Sequence, residues 1–495
     1  MPYLILFLLV LAAQPLPWPA SPFGWGGRGC LLATALAAAT PVVLAAWLAG
    51  RTRRRLITAP AERPQTVRAY HRGRMLHLLL LVAVQFVALG LLGWGWAVRS
   101  WCAADAPEKL PFGAELILIA PFLFGLVFSW AGFYPAEQTL AGAARFGGRW
   151  GYVSFQARQY LTLVGLPLGL MVLARGLQWA LPEHTDGVWL LLVPVGLVGA
   201  ALVLAPWPLR LILGARPLPP GPIRERLEVA ARRLRFRYSD ILLWDTRNGM
   251  ANAMVAGPIP WVRYVFLSDR LLAELTPAEL EAVFGHEVGH VRHRHFLFYA
   301  AFMGLSVAVL VGVWMIAINW LASPEPDVMA AVAEPAASTP GAVAGWHRWE
   351  AIPQMFLVGT YVFFVFGFLS RRCERQADLH GCRAVGVDGD PGASASGGND
   401  LHPDGIRTFI GALDKVATVN GICRRRPGLL NAWLHGTIAR RVEFLETVLL
   451  DRRAERQFQR RLTLLKWGLL AGLVAALLAL TAGYWEQIRS AVWAG

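Results

Sequence analysis

Long apolar runs separated by polar linkers dominate this chain. A helix of about 20 apolar residues is long enough to cross a bilayer. Nine such segments are predicted, at residues 3–20, 30–49, 75–98, 112–134, 159–181, 187–209, 296–321, 352–370 and 464–485. The first contains three prolines and no positively charged leader, so a membrane anchor is favoured over a cleaved signal peptide. The pattern predicts a mainly α, polytopic α-helical membrane protein with about nine transmembrane helices.

The polar linkers predict the orientation of these helices. Cytoplasmic loops of membrane proteins are enriched in Lys and Arg. The linker after the second segment holds eight arginines and the linker 135–158 holds three, whereas the outer loop 322–351 is mainly acidic. Alternation then puts both long polar regions on the cytoplasmic side, with the amino terminus inside and the carboxyl tail outside. We expect a bacterial inner (plasma) membrane protein.

This alternation predicts two halves of one cytoplasmic domain interrupted by a membrane hairpin. The amino-terminal membrane region is predicted at residues 1–209 and the first half-domain at 210–295. The membrane hairpin follows at 296–370 and the second half-domain at 371–463. A last membrane helix and its tail occupy 464–495.

Composition agrees with a membrane location and argues against nucleic acid as a partner. The chain is 56% apolar and only 16% charged, against about 25% charged in ordinary soluble proteins. Its net charge of +15 raises the question of a polyanionic partner. The arginines are spread over membrane-flanking linkers and form no recognisable reading module, so the bilayer explains them better.

The first polar region contains an H-E-x-x-H motif, Gly285-His286-Glu287-Val288-Gly289-His290. Two imidazoles four residues apart on a helix share one face and reach a single Zn²⁺, while the Glu between them is placed to deprotonate the attacking water. Thr276 to Glu279 predicts a capping box at the start of this helix. His286 and His290 are therefore predicted metal ligands, and Glu287 the catalytic base.

A catalytic zinc needs a third protein ligand. Glu374 and Asp378 are four residues apart where the eighth membrane segment continues into the second polar region. We predict that Glu374 binds the metal and that Asp378 accepts a hydrogen bond from a ligand imidazole. Such a pair alone is more often a solvated acidic face; its position on the same side as the histidines favours the metal site.

Together these motifs resemble the membrane zinc endopeptidases typified by the CAAX prenyl protease and the HtpX heat-shock protease, metallopeptidase family 48. The family pattern also has an Asn-Ala strand and a late His and Arg six residues apart, matched here by Asn252-Ala253-Met254-Val255-Ala256-Gly257 and by His435 with Arg441. The resemblance covers about residues 220–450. Gly436 departs from it, because relatives often have Pro there.

The resemblance implies a gluzincin-type peptidase domain with a small β-sheet. Residues 252–257 would be an edge strand on which an extended substrate docks by strand addition; the alternative is a sheet that only packs the active-site helix. His435 and Arg441 would stabilise the oxyanion of the tetrahedral intermediate. Without the family, both would read as surface or juxtamembrane residues.

The basic segment Val291-Arg292-His293-Arg294-His295 follows the motif and ends where the seventh membrane segment begins. It is interpreted as an interfacial anchor, with a second metal site as the alternative.

The sequence therefore predicts a zinc metalloendopeptidase that holds one Zn²⁺ per chain and cleaves protein or peptide substrates at the cytoplasmic face, in membrane-protein quality control or processing. One alternative within this class is a CAAX-type prenyl protease that trims lipidated carboxyl tails. An alternative of another class is a non-catalytic membrane scaffold or transporter that keeps a metal for folding.

Overall fold

The computed structural model of this protein divides into two compact units, Met1–Thr185 and Asp186–Gly495. It describes residues 18–102, 113–141, 146–180, 203–322, 351–385, 401–422 and 432–483, with a few isolated positions. Most of the predicted segment 3–20, about half of the predicted segment 187–209 and nearly all of the predicted outer loop 322–351 lie outside the described residues.

The first unit is an assembly of helices. They are α1 (Gly27–Thr58), α2 (Arg63–Leu89), α3 (Trp94–Trp101), α4 (Ala114–Ala141) and α5 (Arg149–Ala180). Buried aromatic and aliphatic side chains of α1, α2, α4 and α5 form a common core. One ion pair lies within the apolar packing, between Arg74 of α2 and Glu137 of α4, with a nitrogen–oxygen distance of 2.6 Å. Tyr70 donates a hydrogen bond to the same carboxylate, so the buried charge is fully partnered.

The predicted membrane segment 75–98 differs from the observed helix. Helix α2 starts earlier, at Arg63, and ends at Leu89, and a separate short helix begins at Trp94. Gly93 between them has φ of 73°, a conformation that glycine adopts without steric cost. The apolar run continues through this break, which is why hydropathy alone did not reveal it.

Within the described residues, five helices are long and apolar enough to cross a membrane. They are Gly27–Thr58, Pro60–Leu89, Ala114–Leu140, His295–Trp314 and Arg452–Ala482. The predicted fold class, a mainly helical chain with several membrane-spanning helices and a small sheet, is confirmed. The count of nine crossings and their orientation stay predictions.

The second unit holds the sheet and the remaining helices. Its strands are β1 (Arg216–Pro217), β2 (Asp240–Trp244), β3 (Ala253–Ala256) and β4 (Tyr264–Ser268). Its helices are α6 (Pro206–Ile212), α7 (Pro222–Arg233), α8 (Asp269–Glu274), α9 (Pro277–Arg292), α10 (His295–Ala322), α11 (Ala351–Tyr361), α12 (Gly367–Ala384), α13 (Pro403–Val419), α14 (Ala432–His435), α15 (Ile438–Leu450) and α16 (Arg452–Gly483).

The sheet has the order β1-β2-β4-β3, so β3 lies at an edge. Strand β4 is buried along its whole length, and it pairs in parallel with β2 and antiparallel with β3. Gly257 ends β3 with φ of 115°, and a side chain there would collide with the backbone of Val262. The predicted edge strand 252–257 is therefore present, with its regular part at Ala253–Ala256.

Helices α9 and α12 pack backbone to backbone. A methyl group on Gly285 would collide with Ala384, and one on Gly289 would lie 2.9 Å from the Cβ of His380. On the facing helix, Gly381 leaves equally little room beside the carbonyl oxygen of Ala282. Glycine at these positions allows the H-E-x-x-H helix and the E-x-x-x-D helix to approach closely, which brings their polar side chains together.

Candidate metal centre

Helix α9 presents the two histidines of the motif from a well-defined start. Thr276 caps the helix, and its hydroxyl and the Glu279 carboxylate satisfy each other's backbone N–H groups in a capping box. Phe284 and Val288 are buried against the sheet side. The opposite face then carries His286 and His290 toward α12.

Three predicted ligand atoms converge between α9 and α12. The Nε2 atoms of His286 and His290 are 3.2 Å apart. The Glu374 carboxylate lies 3.6 Å from His290 Nε2 and 3.8 Å from His286 Nε2. Two ligand atoms of a tetrahedral Zn²⁺ site with bonds of about 2.0–2.1 Å are about 3.3–3.5 Å apart. The donor set and its spacing therefore fit a zinc ion.

Asp378 supports His286 from behind. Its Oδ1 lies 2.9 Å from His286 Nδ1, a close contact outside hydrogen-bond geometry, and both oxygens accept hydrogen bonds from Arg441. Burial alone would lower the pKa of His286, but the carboxylates of Asp378 and Glu374 outweigh it and raise this pKa. Arg441 and His286 likewise overcome burial and hold the pKa of Asp378 below its usual value. Asp378 thus lies beside the imidazole of His286, and its role as the outer partner of a metal ligand stays a prediction.

Glu287 faces the free edge of β3. Its carboxylate accepts a hydrogen bond of 3.2 Å from the backbone N–H of Val255, a group that points away from β4. Burial raises the pKa of Glu287 to about 7, close to the value that suits a general base at neutral pH. The candidate base and the candidate substrate strand are therefore direct neighbours.

His435 and Arg441 both contact the third ligand. His435 Nδ1 lies 3.1 Å from a Glu374 oxygen, while 62% of its side chain remains exposed. The Glu374 carboxylate raises the pKa of His435. Arg441 is buried, and its Nε and Nη2 are occupied by Asp378, with Nη1 3.6 Å from Glu374. These contacts suit Arg441 to holding the carboxylates of Asp378 and Glu374 in place. The His435 side chain is accessible to a substrate. The oxyanion role of both residues stays a prediction.

The segment after the motif contains a residue that sequence reasoning missed. His295 is only 1% exposed, and its Nδ1 lies 3.0 Å from Nδ1 of His290, a predicted metal ligand. The interpretation of 291–295 as an interfacial anchor is therefore wrong for His295. A third histidine five residues after H-E-x-x-H was the available signal, but the basic residues around it resembled a membrane-flanking cluster.

A basic pocket adjoins the candidate centre on the His435 side. Its volume is about 210 Å³, and its lining includes the arginines 371, 372, 375, 440 and 441. Burial and the neighbouring guanidinium groups lower the pKa of Arg371 and of Arg372. Such a pocket favours an anionic group.

Comparison with known proteins supports the same region. Residues 217–396 match the sequence profile of Peptidase family M48. A protease HtpX homolog of Pyrobaculum islandicum is 35% identical over 94 residues, 19% of this chain and 25% of the relative. A protease HtpX homolog of Methanocaldococcus jannaschii is 36% identical over 70 residues, 14% of this chain and 23% of the relative. The matched parts thus span about a quarter of the length of these relatives.

A solved structure has a similar fold over most of the chain. The crystal structure of S. mikatae Ste24p superposes with a TM-score of 0.53 at 14% sequence identity, and the match covers 84% of this chain and 98% of that one. At this identity the likeness concerns the fold alone. The resemblance predicted from the motifs is confirmed: residues 217–396 match Peptidase family M48, and both relatives are protease HtpX homologs.

Proposed function

We propose that this protein is a zinc-dependent membrane endopeptidase that cleaves protein substrates at the cytoplasmic face. One observation carries this proposal. His286, His290 and Glu374 offer three ligand atoms within 4.8 Å of one another, and Glu287 lies beside them at the free edge of β3. A ligand set, a base and an extended binding edge are the parts that hydrolysis of a peptide bond requires.

Each residue has a task that its contacts suit. When bound, Zn²⁺ supplies a Lewis acid that polarises the scissile carbonyl and makes water more acidic. Strand β3 holds the substrate backbone by strand addition. Glu287 takes the proton of the attacking water and returns it to the leaving amine. His435, exposed beside Glu374, donates to the oxyanion of the tetrahedral intermediate, while Arg441 holds Asp378 and Glu374 in place.

The test is proteolysis of an unfolded protein by the full-length chain in nanodiscs, with one equivalent of Zn²⁺. We expect Glu287→Gln to lower the rate by about 10²–10⁴-fold while zinc stays bound, because Glu287 is not a ligand. Glu446→Gln, an exposed residue of α15, is the matched control and should leave the rate unchanged.

Two results would contradict the proposal. Wild-type protein that binds one zinc and cleaves nothing would indicate the non-catalytic scaffold or transporter. Equal rates for wild type and Glu287→Gln would remove Glu287 as the base.

The proposed orientation rests on the arginine-rich linkers. A role in quality control or processing is proposed because the active site would lie beside the membrane. Reporter fusions within the linker 386–400 and at the carboxyl tail test the orientation. We expect a cytoplasmic reporter to work only in the linker and a periplasmic reporter only at the tail. The opposite pattern would place the site outside.

A second candidate function, trimming of lipidated carboxyl tails, is favoured by the basic pocket. Four of its arginines, at positions 371, 372, 375 and 440, have no carboxylate within 4 Å among the described residues. A free carboxyl group a few residues beyond the scissile bond would lie beside His435 and neutralise part of this charge.

Paired peptides distinguish the two functions. A farnesylated peptide with a free carboxyl end should be cleaved well and its carboxyamide poorly if tails are the substrate. Arg372→Gln should reduce this preference, whereas Arg460→Gln on exposed α16 should not. Equal cleavage of both peptides and of internal bonds would favour the general endopeptidase.

A further inference from the structure

The two predicted histidine ligands have different partners on their outer nitrogens. His286 turns its Nδ1 to a carboxylate, that of Asp378. His290 turns its Nδ1 to another imidazole, that of His295, at 3.0 Å. An outer partner fixes the tautomer and ring orientation of a metal-binding histidine and raises its basicity. His295 occupies that place, although nothing in the H-E-x-x-H or E-x-x-x-D motifs includes it.

One assignment of hydrogens satisfies every contact of His295. A neutral imidazole carries one hydrogen, so a His290 that binds metal through Nε2 donates from Nδ1. His295 then accepts at Nδ1 and carries its own hydrogen on Nε2. That nitrogen lies 2.9 Å from Oε1 of Gln376, an acceptor. Each hydrogen-bond donor therefore faces an acceptor along the contacts from His290 through His295 to Gln376.

The contacts continue into the membrane helices. The Gln376 amide nitrogen donates to Gln459 Oε1 at 2.5 Å, and Lys466 Nζ donates to Gln376 Oε1 at 2.9 Å. Gln459 and Lys466 belong to α16, and His295 is the first residue of α10. Both helices are long and apolar enough to span a membrane. The outer support of His290 therefore includes side chains near the ends of two helices that are long and apolar enough to span a membrane.

The backbone directs His295 back toward the ligand. Helix α9 ends at Arg292 and α10 begins at His295. Arg294 between them has φ of 52°, a left-handed conformation that is strained for a residue other than glycine. Without this turn a continued helix would place residue 295 on a different face from residue 290. A strained turn that persists indicates surrounding contacts that fix it.

We propose that His295 is a positioning residue for the zinc ligand His290, and that the hydrogen-bond chain His290–His295–Gln376–Gln459 couples metal affinity to the packing of the membrane helices α10 and α16. The inference rests on the proposed zinc site but does not require the protein to cleave any particular substrate. It acts through the orientation and basicity of the His290 imidazole.

Two conservative variants separate positioning from simple packing. Asn places its polar atoms near where His places Nδ1, and Gln places them near where His places Nε2. His295→Asn therefore keeps an acceptor for His290, while His295→Gln keeps only the donor to Gln376. The readouts are the Zn²⁺ dissociation constant, from competition with a chromogenic chelator, and the absorption spectrum of the Co²⁺-substituted full-length protein in nanodiscs.

We expect His295→Phe and His295→Gln to weaken zinc binding by about 10- to 100-fold and to alter the Co²⁺ spectrum, while His295→Asn stays near wild type. His402→Phe, at an exposed histidine, is the control. Equal losses in the Asn and Gln variants would show that His295 only packs. If His295→Phe binds zinc as wild type does, the inference is wrong; if wild type itself binds no zinc, the proposed function fails instead.

A substitution within α16 tests the coupling to the membrane helices. Gln459→Leu removes the acceptor for Gln376 and should weaken zinc binding in the same direction as His295→Phe, by a smaller factor. Gln457→Leu makes the same chemical change at an exposed position of the same helix and should have no effect. Equal zinc affinities for the two leucine variants would limit the positioning role to His295 itself.

Discussion

The two histidine ligands of one proposed metal site are supported in opposite ways. Behind His286 stands a charged pair, Asp378 with Arg441, contributed by α12 and α15. Behind His290 stands an uncharged imidazole, His295, followed by Gln376 and side chains of α16. The first support comes from α12 and α15, and the second includes residues of α10 and α16, two helices that are long and apolar enough to span a membrane.

This difference predicts how each support responds to the loss of one of its side chains. A buried ion pair holds geometry strongly, but removal of one partner leaves a costly unpaired charge. A chain of neutral hydrogen bonds leaves no such charge, and it depends on the relative position of several helices. Damage to the first support should therefore unfold the site, whereas damage to the second should loosen metal binding with the fold intact.

The largest expected effect is that of Arg441→Ala, which leaves Asp378 and Glu374 buried without their cation. We expect a loss of about 3–5 kcal/mol in the free energy of unfolding, measured by denaturant titration in detergent. Arg440→Ala, at an exposed neighbour, should change it little. An Arg441→Ala protein of wild-type stability would show that the charged support contributes no more than the neutral one.

Asp378→Asn keeps the size of the side chain and removes its charge. Because the amide cannot raise the basicity of His286 as a carboxylate does, zinc affinity should fall by about 10- to 100-fold. Asp414→Asn, on α13 at a half-exposed residue that pairs with Arg424, serves as the control in the same chelator competition. Wild-type zinc affinity in Asp378→Asn would show that His286 does not need a carboxylate behind it.

Gly289→Ala tests the helix contact on which both supports depend. The added methyl group would lie 2.9 Å from His380 Cβ and 3.1 Å from Ala377 Cα, so α9 and α12 must separate slightly. We expect a destabilisation of about 1 kcal/mol and weaker zinc binding. Gly304→Ala in α10 meets nothing within 4 Å and should be neutral or stabilising. Equal effects of the two changes would refute close packing as the cause.

The smallest expected effect is the coupling between the two supports. They act on different imidazoles and share no hydrogen bond, so the losses in zinc-binding free energy from Asp378→Asn and His295→Phe should add within about 0.5 kcal/mol in the double variant. A clearly larger departure from additivity would mean that the supports communicate through α12.

Local spacing explains how much of the site could be predicted. His286, Glu287 and His290 share a helix face by the 3.6-residue period, and the same rule pairs Glu374 with Asp378. Both helices and the edge strand form as predicted. The fold class followed from apolar runs, whose length is dictated by the bilayer.

What could not be predicted depends on contacts between distant residues or on local backbone turns. The role of His295 requires Gln376 and Gln459 to be adjacent in space, and no periodic pattern links these positions. The helix break before Trp94 depends on the left-handed Gly93 inside an apolar run. Arg441 likewise contacts both Asp378 and Glu374 only because α12 and α15 pack together.

The order of the motif residues along the chain has a consequence for biosynthesis. A ribosome releases the two histidines of α9 first, then the membrane hairpin, then Glu374, and Arg441 later still. A nascent chain can fold only the parts it has already released. The third predicted ligand and its counter-charge are therefore synthesised after the predicted hairpin. If the proposed function holds, a chain made in this order stays inert beside the ribosome until Glu374 and Arg441 have been released.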